Sequence, residues 1–184
     1  MAVLPVTRYG APILAAKMRP VDDFSRLPSL VNDMFDTMYE EEGIGLAANQ
    51  VGLDLNLMVI DITHVSPSAE EAREGSPNRR TNPEAYNRPL AFANGEILEG
   101  WGDSTMEEGC LSLPGIRVEV KRYEGVRFAF QDLSGERHLE EFQGLLARVI
   151  QHEMDHLNGL VILDRVSPLI RQRFSQQLKQ IGSR

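Results

Sequence analysis

Leu145-Leu146-Ala147-Arg148-Val149-Ile150-Gln151-His152-Glu153-Met154-Asp155-His156-Leu157 is the stretch that decides the reading of this chain. Its apolar residues surround much of a helical wheel, so the spacing predicts a buried helix over about Leu145 to Asn158, with Gly159 at its C′ position. Within it, His152-Glu153-Met154-Asp155-His156 has the form H-E-x-x-H. Residues i and i+4 of a helix share one face, so both imidazoles aim at one point where a first-row metal ion fits. Glu153 reaches water at such an ion but makes a poor ligand. Two ligands and a base on one turn are the minimum for metal-activated hydrolysis. Burying two His, a Glu and an Asp is costly unless each finds a partner. The alternative is a polar turn whose His residues hydrogen-bond within a core.

Catalytic sites of this type take three protein ligands and leave one position for water. Downstream of His156 there is no Glu or His, and Asp164 is the only acidic residue. Upstream, Glu108-Gly109-Cys110-Leu111-Ser112 presents the sole cysteine. A thiolate is a strong ligand for Zn²⁺ or Fe²⁺. Beside the helix motif, Cys110 is favoured as the third ligand over an inert buried thiol.

The flanks read as strands. Leu57–Ile60, Leu90–Ala93, Ile97–Leu98, Ile116–Arg122, Val126–Asp132, His138–Phe142 and Leu160–Leu163 are expected strands, with a turn at Asp132–Gly135. A helix is expected over Leu27–Glu42, ended by Gly43, and another from Pro168 to about Ile181. Pro5 to Pro20 reads as irregular, and residues 62–89 as a long surface excursion. Strands, a central helix and more strands give an α+β class, since no βαβ alternation appears.

At 184 residues, with 42% hydrophobic and 25% charged residues, the chain is expected to form a single globular domain over 1–184. A net charge of −8 opposes general binding to DNA, and no apolar run reaches membrane-spanning length. A single cysteine and a start without a leader pattern point to a reducing cytoplasm.

Three segments occur in order: Gly43-Ile44-Gly45-Leu46-Ala47-Ala48-Asn49-Gln50, Glu108-Gly109-Cys110-Leu111-Ser112 and Gln151-His152-Glu153-Met154-Asp155-His156. Together they resemble the three motifs of the peptide deformylases, hydrolases that remove the formyl group from the N-formylmethionine of nascent chains. The resemblance extends over nearly the whole chain. It implies antiparallel β-sheets around the metal-binding helix, with a C-terminal helix. It implies Cys110, His152 and His156 as ligands of one divalent ion, Fe²⁺ physiologically, with Zn²⁺ or Ni²⁺ as alternatives. It implies Glu153 as proton shuttle, and the Gln50 amide and Leu111 backbone N–H as donors to the oxyanion. Ile44 and Gly45 would pair with the substrate main chain as an added strand. Leu145 and Val149 would wall the methionine pocket, with Ile44 and Met106 near its mouth; plain core packing is the alternative for these four.

Asp155 is placed either to orient a ligand His or to pack at the helix surface. Glu108 and Arg148 either pair or leave a solvated Arg. His64 and His138 are expected at the surface. Asn49 stands where the family often has Pro or Thr, and Asn94-Gly95 where many members have Asn-Pro, which should loosen that strand. After Asp164 the chain carries Arg165, Arg171, Arg173, Lys179 and Arg184 with no acidic residue. By resemblance this basic tail would contact the ribosome, attracted by RNA phosphates. The competing functions are a metallopeptidase built on the same helix and a binding protein with a structural metal. The Cys110 ligand argues against the first, and the lack of a fourth Cys or His nearby against the second.

Overall fold

The computed structural model describes residues 2–65 and 87–182. Most of the excursion expected over 62–89 therefore lies outside the described residues. The elements are α1 (Leu27–Glu40), β1 (Gly45–Ala47), β2 (Leu57–Ile60), β3 (Leu90–Trp101), β4 (Ser104–Gly109), β5 (Arg117–Arg122), β6 (Gly125–Gln131), β7 (Arg137–Gln143), α2 (Gly144–Leu157), α3 (Pro168–Arg173) and α4 (Ser175–Gly182). The architecture is α+β, as expected. One antiparallel sheet has the order β1-β2-β3-β6-β7, and β4 and β5 form a second.

Helix α2 joins the two sheets. Its apolar side, Leu146, Val149, Ile150, Met154 and Leu157, packs on Phe92, Phe128, Phe130 and Phe142 of the larger sheet. Phe92 meets Phe128, Phe130 and Phe142 edge to face, and such pairs add about 0.5–1.5 kcal/mol each beyond area burial. Its polar side faces β4 and β5. A second core lies between α1 and the β1–β2 edge, where Val31, Met34, Met38, Leu46 and Val59 meet. A third joins Val118 and Val120 of β5 to Val161–Leu163, Phe174, Leu178 and Ile181.

Several local expectations are corrected. Gly43 does not supply the left-handed residue that ends α1. Glu42 does, at φ 56°, while the Gly43 N–H bonds the Met38 carbonyl at 2.8 Å. At the end of α2, Gly159 holds its expected place at φ 78°. The two short strands expected at 90–93 and 97–98 are one strand, β3, with a register shift between Ala93 and Glu96. Asn94-Gly95 sits at that shift and is held by side-chain bonds. The Gly95 N–H bonds Asn56 Oδ1 at 3.1 Å, a bond that proline would forgo, and the Asn94 side chain ties Val21 to Gln131.

Ser104–Gly109 pairs with β5 although its residues lack an apolar alternation. Leu160–Leu163 is not a strand. Asp164 Oδ2 accepts the Val161 N–H at 2.9 Å, which turns 162–164 into a short 3₁₀ segment. The expected terminal helix is broken at Phe174 into α3 and α4, and the break turns Phe174, Leu178 and Ile181 onto the third core while Leu169 stays exposed. Among the described residues no helix is long and apolar enough to cross a membrane.

Candidate metal centre

The turn of α2 that carries His152 and His156 holds the two rings 5.1 Å apart, centroid to centroid. The loop after β4 brings Cys110 to them, with its Sγ 3.1 Å from His156 Nε2. One ligand-type atom from each of Cys110, His152 and His156 lies within 4.8 Å of the others. A thiolate and two imidazoles are a donor set for Zn²⁺ or Fe²⁺, so these residues fit a divalent ion. Burial pushes the Cys110 thiol up, but the adjacent His156 and the hydrogen bonds from both imidazoles outweigh it and bring its pKa down to about 5. The sulfur is thus poised as the thiolate that a metal needs.

His152 Nδ1 lies 2.9 Å from Glu108 Oε2. Burial would raise the Glu108 pKa, but the bonds from His152 and Arg122 hold the carboxyl well below the usual carboxylate range. An ionised carboxylate only accepts, so Nδ1 keeps its proton there, which leaves Nε2, on the Cys110 side, as the atom that would ligate an ion. Asp155 does not orient either imidazole. Its oxygens receive Arg122 and Arg165, and His156 Nδ1 is buried with no hydrogen-bond partner among the described residues. Glu108 takes the orienting place instead. It also pairs with Arg148 at 2.6 Å and with Arg122 at 2.6 and 2.8 Å, so the expected Glu108–Arg148 pair is present. All four of these side chains, Glu108, Arg122, Arg148 and Asp155, are buried.

Glu153 is 3% exposed, and its Oε2 is buried without a hydrogen-bond partner among the described residues. Burial pushes its carboxyl pKa up against the pull of His152 and His156. Gly45 leaves room for it: a Cβ there would sit 2.4 Å from Glu153 Oε1 and 2.7 Å from Val149 Cγ1. Gln50 stands opposite, in the 3₁₀ turn after β1. Its Oε1 accepts the Ala47 N–H at 2.9 Å, which fixes which way the amide faces. Nε2 therefore points inward, 3.8 Å from Cys110 Sγ and 3.3 Å from Ser112 Oγ, contacts long enough to yield to a better acceptor. No hydrogen-bond partner is found for the Leu111 N–H among the described residues.

These groups open onto a cleft of about 640 Å³, lined among others by Ile44, Gly45, Gln50, Met106, Cys110, Leu111, Leu145, Val149, His152 and Glu153. Every site residue expected from the sequence borders it except His156, which is buried at 1% exposure. Leu145 and Val149 do line it, although both also pack in the α2 core. Met106 is 47% exposed at its rim. His64 is exposed and His138 half-buried, both outside this cleft.

The model of the polypeptide deformylases matches residues 3–172. The chain belongs to the polypeptide deformylase family. A peptide deformylase of Thermus thermophilus is 42% identical over 173 residues, covering 94% of this chain and 86% of that one. One of Chlorobaculum parvum is 37% identical over 180 residues, covering 97% and 88%. The crystal structure of a Thermus thermophilus peptide deformylase superposes with a TM-score of 0.82 at 36% identity over 98% of both chains. That from Legionella pneumophila does so with a TM-score of 0.81 at 34% identity, covering 99% and 96%. Deformylases are metal-dependent hydrolases of formylated peptides, and Cys110, His152 and His156 form the candidate site for the ion here.

Arg122 and Arg165 were not legible as part of this deformylase site. A signal existed for Arg122. It falls on the same alternation phase of β5 as the buried Val118 and Val120, where a lone charge needs a buried partner.

Proposed function

We propose that residues 1–184 form one catalytic domain that hydrolyses the N-formyl group of N-formylmethionyl peptides, with Glu153 as general acid and base. A divalent ion held by Cys110, His152 and His156 would supply Lewis acidity, bringing a water's pKa towards neutrality. Fe²⁺ is the ion proposed, with Zn²⁺ or Ni²⁺ able to use the same donors. Glu153 takes the proton of the water as its oxygen adds to the formyl carbon. Glu153 then passes that proton to the peptide nitrogen as the C–N bond breaks, leaving formate and a free amine. The Gln50 Nε2–H and the Leu111 N–H donate to the oxygen that becomes negative in between. The observation that carries this reading is the buried, unpartnered Glu153 carboxyl with its raised pKa beside the Cys-His-His set.

Substrate placement follows from the edges of the site. β1 is the outer strand of its sheet, so Ile44 and Gly45 can accept a peptide as a further strand. Leu145, Val149 and Met106 offer apolar contact to a methionine side chain. A formyl carbon bears only hydrogen, which suits the narrow approach that Gly45 allows.

The test is formate release from formyl-Met-Ala-Ser by anaerobically prepared protein of assayed metal content. Gln50→Ala should lower kcat about 10²–10³-fold, as loss of one oxyanion donor does. A Gln50→Ala variant with unchanged kcat counts against its role. An intact peptide bond after Met separates this activity from a metallopeptidase.

The reading also places the protein in the cytoplasm, where nascent chains emerge, and at the ribosome through its tail. Arg165 and Arg171 are committed to Asp155 and Asp164, which among the described residues of the tail leaves Arg173 and Lys179 for phosphates. Arg173→Glu with Lys179→Glu should abolish co-sedimentation with ribosomes at low salt; unchanged co-sedimentation excludes the tail as the contact.

A further inference from the structure

We infer that Arg8 is a positioning residue for the deformylation, holding the Leu111 backbone through its carbonyl oxygen. The inference rests on the reading of Leu111 N–H as an oxyanion donor. Leu111 lies in the turn between β4 and β5, where no ladder fixes its peptide planes. The Arg8 guanidinium Nη1 donates to the Leu111 carbonyl. Its Nη2 reaches Glu41 Oε2 at 3.4 Å, just past the end of α1. One rigid fork therefore spans the cleft between the wall that leads to Gly43–Gly45 and the wall that carries Cys110.

The neighbours of Arg8 act on the same wall. The Thr7 N–H bonds the Gln50 carbonyl at 2.7 Å, and the Tyr9 N–H bonds the Ser112 carbonyl at 2.9 Å. Ser112 Oγ in turn contacts Gln50 Nε2. Three consecutive residues of the irregular N-terminal segment thus strap the backbones that carry both proposed donors. Thr7 and Tyr9 do so by main-chain groups that any non-proline residue supplies. Arg8 alone does so by its side chain. The Leu111 carbonyl and N–H flank one Cα, so fixing the carbonyl limits the rotation that aims the N–H. The Arg8–Glu41 pair is partly exposed, with side chains at 36% and 33%, and contributes little to stability. Its consequence is geometric.

The test uses Zn²⁺-loaded full-length protein as wild type, Arg8→Gln, Arg8→Lys and Arg19→Gln. Arg19 pairs with Asp54 outside the cleft and serves as control. Steady-state kinetics on formyl-Met-Ala-Ser are read beside NMR amide exchange at Leu111. Arg8→Gln should lower kcat about 10- to 30-fold, less than outright loss of a donor, with KM, metal content and Tm unchanged. Its Leu111 amide should exchange several-fold faster than in wild type. Arg8→Lys should recover less than half of the kcat loss, because one ammonium cannot fork to both partners. Arg19→Gln should match wild type. An Arg8→Gln protein with wild-type kcat overturns the proposal, as does a rise in KM alone or a kcat loss accompanied by metal loss. Inactive wild type with faster Leu111 exchange in Arg8→Gln would refute the enzymatic reading while keeping the Arg8–Leu111 coupling.

Discussion

Glu153→Gln lowers kcat for formate release about 10³-fold or more while the protein keeps its metal and its fold. The exchange is nearly isosteric, so the tight approach of Gly45 is preserved. Among the described residues it removes the one buried carboxyl bordering the cleft that has no ion-pair partner. Glu107 is exposed and paired with Arg117, and Glu108 is bound to Arg122, Arg148 and His152. General acid–base groups are worth about 10²–10⁴-fold, and in the proposed mechanism one group moves the proton in both halves of the reaction. KM should change little, since the proposed methionine pocket and the edge of β1 are untouched. The pH profile gives a second readout. Burial raises the Glu153 pKa above its ordinary value of 4.5, so the wild-type kcat/KM should rise with pH through that raised value as the carboxyl loses its proton. The variant should lack this acid limb. A Glu153→Gln enzyme retaining a tenth of the wild-type kcat would remove Glu153 from the proton path.

The centre of this fold was legible because its chemistry is local in sequence. His152, Glu153 and His156 sit on one turn, and helical periodicity alone carries them to one face. Strands β2, β5 and β6 announce themselves by apolar content or alternation, and β7 follows a legible turn. What was hidden depends on pairing across long separations. Ser104–Gly109 is a strand only because β5 lies beside it, and its own residues are nearly all polar. Phe174 interrupts the tail only because the third core sits beneath it. Asp155 drew attention by its place beside His156, yet a helix turns 100° per residue and aims it at Arg122 and Arg165. Arg8 belongs to a segment without periodicity, so its contact with Leu111, 103 residues away, leaves no trace in a local pattern.

Glu108→Ala should destabilise the protein by about 3–5 kcal/mol, the range for breaking a buried charge network by removing one partner. Among the described residues Glu108 is the only carboxylate that touches His152, Arg122 and Arg148 together. Without it, Arg122 keeps Asp155, and Arg148 keeps the Val120 and Ser104 oxygens, but one buried positive charge is left uncompensated. For a chain of this length that loss corresponds to a Tm lower by about 6–20 °C. Metal affinity should fall about 10- to 100-fold as well, because His152 Nδ1 loses the acceptor that fixes its tautomer. The two effects separate in a competition titration with Zn²⁺ at a temperature where both proteins are folded. Their pH dependence has a fixed sign. The Glu108 pKa is lowered in the folded state, so its contribution is complete above the unfolded value of about 4.5 and is lost as pH falls through the folded one. The part of the gap between wild type and Glu108→Ala that comes from the Glu108 charge itself should hold down to about pH 5 and close only in stronger acid. A variant within about 2 °C of wild type would mean that the two arginines find water when Glu108 is gone, and that the Cys110 loop is held by the Arg8–Tyr9 segment instead.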